Sequence, residues 1–137
     1  MSLVVLYLLT AAIFLGLDFL GLRYIVGPVF EARVGSILLD QPRLGPAAVF
    51  YLFYVAALLW LVTVPGLDQP LSRVALNAAI FGAAAYGTYE FTNLATLRGW
   101  SWTQVGVDLI WGTVLTAVAA TCGLWLWRIL GFSLPSA

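Results

Sequence analysis

The sequence contains no histidine and no lysine, one cysteine, and few charges: six arginines against six aspartates and glutamates, 9% of 137 residues. Without histidine there is no imidazole to ligate haem, chlorophyll or a catalytic zinc, and no histidine general base. Without lysine there is no Schiff base, which removes retinal and pyridoxal chemistry of the usual kind. Cys122, set in an apolar run, forms neither an internal disulfide nor a thiolate metal cluster. No cofactor is implied, and no metal is named. A formal charge of zero leaves no basic field for nucleic acid and no acidic tail. A Gly-rich phosphate loop, a nucleophile elbow and a two-carboxylate-plus-histidine iron motif are all missing.

What fills the chain is apolar: 63% hydrophobic and 15% aromatic residues, with a mean hydropathy of +1.02. Soluble domains carry about 25% charged residues, so the solvent expected here is lipid. A helix needs roughly 20 apolar residues to cross the hydrocarbon core. Four stretches qualify, about 3–24, 47–64, 74–97 and 103–127. Asp18 and Arg23 interrupt the first, Glu90 the third and Asp108 the fourth, while the second carries no charge. A barrel would need alternating segments of roughly 10 residues. The predicted fold is an all-α integral membrane protein, with four transmembrane helices in an antiparallel bundle and a single domain over 1–137.

The first stretch exceeds the ~7–15 residues of a signal-peptide core and has no basic residues before it, so it reads as a span. Gly27-Pro28 predicts a break after it. Phe30, Val34, Ile37 and Leu38 then recur at helical spacing and predict a short interfacial helix between the first two spans. Tyr24, Tyr51, Trp100 and Trp102 fall at one set of span ends, with Trp60, Trp125 and Trp127 at the other, the pattern of aromatic belts. Arg23, Arg33, Arg43 and Arg98 share the side of the long first loop, and Arg73 and Arg128 lie opposite. The positive-inside rule puts the first side in the cytoplasm and the termini across the membrane.

An acid inside a span costs at least ~2.5–3.5 kcal/mol when central, and such residues face a bundle or a cavity. Up-and-down threading places Asp18, Glu90 and Asp108 on the same side, each on the order of 6–10 Å below the boundary. Tyr86 and Asn93 share the helical stripe of Glu90. Ser101, Gln104 and Gly112 share that of Asp108, with Trp111 at its edge. The sequence therefore predicts one ligand- or ion-binding pocket of Asp18, Glu90 and Asp108, assisted by Asn93, Tyr86 and Trp111, above a dry, close-packed half. Two carboxyls held close share a proton, equally the mark of a proton relay, a cation site and an acid–base dyad. The bland alternative needs no ligand. In it, Arg23 and Arg98 snorkel back to the acids, or indole and phenol donors satisfy them. The Ala79, Ala83, Gly87 ladder reads as internal packing or as a dimer face.

The run Tyr89-Glu90-Phe91-Thr92-Asn93-Leu94-Ala95-Thr96-Leu97-Arg98-Gly99-Trp100, followed by Asp108-Leu109-Ile110-Trp111-Gly112-Thr113, resembles a family of small bacterial membrane proteins, domain-of-unknown-function family 2177. Asp18 before Leu20-Gly21-Leu22, and Phe50-Tyr51-Leu52-Phe53-Tyr54 opening the second span, extend the likeness over the whole chain. The chain departs from the family pattern in having Glu90 where Asp is usual, and Phe19-Leu20 where a Trp often follows the first acid. The resemblance implies a bacterial inner membrane and four helices, so the arginine bias puts the termini in the periplasm. It brings no activity.

Three functions fit these residues. The first is a polytopic inner-membrane protein whose acidic pocket binds or moves a proton, a cation or a polar small molecule, acting as a homodimer or larger assembly. The second is an accessory or assembly subunit of a larger membrane complex. The third is a membrane enzyme built on a carboxylate pair, which lacks any recognisable nucleophile and is the weakest. The partner common to all three is the lipid bilayer.

Overall fold

Long apolar runs fold as helices in lipid because each N–H finds its carbonyl within the run. The computed structural model describes residues 2–133, and these form helices and turns only. Positions 1 and 134–137, included in the expected domain, lie outside the described residues. Helix α1 (Ser2–Gly21) passes through a wide π turn, Leu22–Val26, into α2 (Gly27–Val34), which ends in a 3-10 turn at Gly35–Ile37. Helix α3 (Leu44–Leu58) also runs into a π turn, Leu59–Thr63. Helices α4 (Leu71–Thr96) and α5 (Trp102–Ile129) complete the chain.

Gly27-Pro28 does not break the first helix: Ser2–Ile37 is one continuous segment of 36 residues. The π turns supply the reason. Proline has no N–H, and its ring collides with the carbonyl four residues back in a regular α turn. Each π turn ends two residues before a proline, Pro28 in one case and Pro65 in the other. The wider turn moves the offending carbonyl aside. The N–H just ahead of each proline then bonds five residues back, Gly27 to Leu22 and Val64 to Leu59, the second at 2.8 Å. A Cβ at position 27 would run into the Leu22 carbonyl, so only glycine fits there. After Pro28 the helix continues as α2. After Pro65 the chain turns into α4, and Arg128 holds that turn by donating to the carbonyls of Leu67 and Gln69, both at 2.7 Å.

Among the described residues, Ser2–Ile37, Leu44–Thr63 and Trp102–Ile129 are long and apolar enough to cross a membrane. Helix α4 has the length, 26 residues. Its hydropathy is diluted by Asn77, Gly82, Gly87, Glu90 and Asn93, small or polar residues of which Gly82, Gly87 and Glu90 are buried.

Helix α5 sits between α4 and α1, and its contacts run in opposite senses along both. From α1, Ser2 meets Trp127, Thr10 meets Gly123 and Gly21 meets Trp111. From α4, Gly82 meets Thr116, Tyr86 meets Gly112 and Gly87 meets Leu109. Leu6, Phe14, Tyr54, Leu58, Leu115 and Leu124 fill the core between the helices. The small-residue ladder of α4 turns inward at Gly87, with Ala79 and Ala83 half-buried.

The outer surface is apolar, with Trp60 exposed to 77% and Phe53 and Trp102 to 72% each. Not every aromatic residue at a span end faces outward. Trp127 is buried and donates to the Ser2 carbonyl at 2.9 Å, while Tyr51 and Trp100 turn inward onto acids. A buried indole or phenol requires an acceptor, and these three find theirs within the protein.

Candidate acidic site

The tight link between α4 and α5 is built by local sequence. Gly99 supplies the left-handed backbone, φ 84°, that reverses the chain. Ser101 and Gln104 then form a capping box: the Gln104 N–H donates to the Ser101 hydroxyl at 3.4 Å, and the Ser101 N–H donates to Gln104 Oε1 at 2.9 Å. Trp100, held between these two devices, donates its indole N–H to Glu90 Oε2 at 2.8 Å. Glu90 is wholly buried, and its other oxygen, Oε1, has no hydrogen-bond partner. Asp108, one turn beyond Gln104, is also buried and is a near neighbour of Glu90, with no hydrogen bond between the two carboxyls. Gln104 spends its oxygen on Ser101, so its Nε2 is left buried and unpartnered.

Asp18 joins from α1. Tyr51 of α3 donates to its Oδ2, and Trp111 of α5 to its Oδ1 at a long 3.4 Å. Two glycines make this possible. The Trp111 indole lies directly on Gly21, and the Tyr86 ring lies directly on Gly112, where a Cβ would overlap either ring. Arg23 does not return to Asp18. It sits over the Tyr24 ring at 5.6 Å, and Arg98 is likewise exposed. The donors that reach the acids are neutral, which is the phenol-and-indole half of the bland reading. That half accounts for Asp18. It leaves Asp108 and one oxygen of Glu90 unaccounted for.

Beside the acids lies a cavity of about 700 Å³. Leu22, Val26 and Phe30 of the first helical segment form one wall, Phe50 and Tyr51 of α3 another, and Tyr86, Tyr89 and Asp108 face it from α4 and α5. Asp108 is 7% exposed and lines this cavity. Of the six residues singled out in the sequence, Tyr86 and Asp108 line the cavity; Asp18 is held by Tyr51 of its wall and by Trp111, and Glu90 is buried outside the lining. Asn93 stands apart, outside the cavity lining. The sequence reading missed Tyr51 and Trp100, which share their residue types with membrane belts. The capping box beside Trp100 was the available signal for its inward turn. Among the described residues, no group of three or more Asp, Glu, Cys or His side chains is placed to hold a metal ion. The acids form a pair with a neighbour, not a three-ligand cluster.

Helices apolar enough to cross a membrane, with acidic side chains buried among them, define a helical membrane protein. The chain belongs to the family described as predicted membrane protein (DUF2177), which matches residues 3–125 of the 137. No curated protein and no solved structure matches it.

Proposed function

We propose that this is a four-span protein of the bacterial inner membrane, an antiparallel bundle with α2 at the interface, whose acidic pocket binds or moves a proton, a cation or a polar small molecule. One observation carries the reading: Glu90 and Asp108 are neighbouring buried carboxyls, and one oxygen of Glu90 is left without a hydrogen-bond partner. Two facing carboxyls repel unless something lies between them, a proton or a cation. Among the described residues, the titratable groups near the pair are Asp18 from α1, Tyr51 from α3, and Tyr86 and Tyr89 from α4, none of them cationic. The low hydropathy of α4 suits a fourth span that turns its polar face to α5 and away from lipid. The arginine bias assigns the α4–α5 link to the cytoplasm and the termini to the periplasm. A chain of this size works as a homodimer or within a larger assembly.

The test is thermal unfolding of the purified protein in lipid nanodiscs across proton, sodium and potassium titrations. Wild-type stability responds to one of these ions. Glu90→Gln keeps the fold and flattens that response. An identical response in both proteins, or a flat one in wild type, overturns the reading.

A further inference from the structure

The cavity beside the pair narrows the class of molecule the site takes, an inference that rests on the pocket reading above. Its volume, about 700 Å³, falls in the ~300–1,000 Å³ range of small-molecule sites. Leu22 and Leu38 on its rim are each 47% exposed and Phe50 is 50% exposed, so the mouth opens through the apolar outer surface beside the first π turn. Widened turns of this kind often accompany functional sites, and this one contributes Leu22 and Val26 to the wall.

Elimination does the rest. A ligand polar throughout would leave the apolar walls uncovered. A pure hydrocarbon would leave Asp108 unpaired, at the cost of a buried polar group. An anionic head would meet Asp108 with Glu90 nearby, and among the described residues no arginine lines the cavity. The neighbouring surface groove recruits no anion either, because it carries Arg23 against Glu31 and Asp40. We infer that the cavity takes a single-chain amphiphile from the lipid phase, its tail against Val26, Phe30 and Phe50, its amine or hydroxyl head donating to Asp108.

The experiment uses the full chain in neutral maltoside micelles and three radiolabelled probes, hexadecylamine, hexadecanol and hexadecyl phosphate, in equilibrium binding. The amine and the alcohol bind saturably, and the phosphate at least ~10-fold more weakly, a difference of about 1.4 kcal/mol. Ala85→Trp, which fills the cavity from α4, abolishes binding of both. Asp108→Asn weakens the amine by about tenfold and spares the alcohol. Should Ala85→Trp fail to fold, a hexadecylamine carrying a tail diazirine replaces it, and its crosslinks map to peptides containing Phe30 or Phe50. Equal binding of the phosphate, non-saturable uptake, unchanged binding in Ala85→Trp, or crosslinks elsewhere overturns the inference. If no probe binds while the ion response still depends on Glu90, the amphiphile is wrong and the pocket reading stands. If the ion response is flat, the pocket reading fails on its own measurement.

Discussion

Trp100, Trp111 and Tyr51 hold two buried carboxyls with neutral N–H and O–H donors. Neutral donors orient an acid without cancelling its charge, and they cost less to desolvate than an arginine would. Their worth differs with the alternatives left to the acceptor. Trp100 is the one hydrogen-bond donor to Glu90 among the described residues. Trp100→Phe therefore strips Oε2 of its one hydrogen bond and destabilises the protein by about 1–3 kcal/mol in a reversible unfolding titration. The Tyr54 hydroxyl pairs with Thr116 at 2.8 Å, but the Thr116 hydroxyl also bonds the Gly112 carbonyl at 2.7 Å. Tyr54→Phe leaves Thr116 satisfied, so it costs about 0.6 kcal/mol, an average polar contact between membrane helices. Equal costs for the two substitutions would show that Trp100 is not specially tied to the acid.

At the scale of elements, the crossing of α1 and α5 depends on Gly21 accepting the Trp111 indole. Gly21→Ala overpacks that crossing, with a cost of about 1–3 kcal/mol, and lifts the indole from Asp18. A red shift of tryptophan emission together with a lower melting temperature checks it. The first π turn gives a second prediction. If the Pro28 ring forces the turn open, Pro28→Ala lets it close to a regular α turn and rotates α2 by about 100°. Helicity by circular dichroism stays constant while a cysteine at position 30 changes its accessibility. Unchanged accessibility would mean that packing, not proline, sets the turn.

These elements also show what the sequence discloses. The helices were legible because apolar runs in lipid have few alternatives, and Asp18, Glu90 and Asp108 stood out against them. The continuity of the first helix was not legible. Pro28 and Pro65 follow the same kind of π turn, and the outcome depends on what comes after: Val-Phe-Glu-Ala-Arg continues a helix, whereas Gly66 to Pro70 turns. Tyr51, Trp100 and Trp127 were hidden for a different reason. An indole or phenol at a span end suits a headgroup and an internal acceptor equally well, and only the neighbouring helices decide.

At the scale of the whole molecule, charge is kept to the surface with one exception. The arginines cap turns or stack on exposed aromatics, as Arg128 and Arg23 do, while the acids of α1, α4 and α5 are drawn inside. A membrane protein retains buried acids without counter-charges where they face a site. The central claim is that Glu90 and Asp108 act as one unit bridged by a proton or a cation. Infrared difference spectroscopy of the reconstituted protein across proton and cation titrations tests it most directly. The account predicts one carboxyl signal, lost equally in Glu90→Gln and in Asp108→Asn. Two carboxyl bands that vanish separately in the two variants, or no titrating carboxyl band at all, would contradict it.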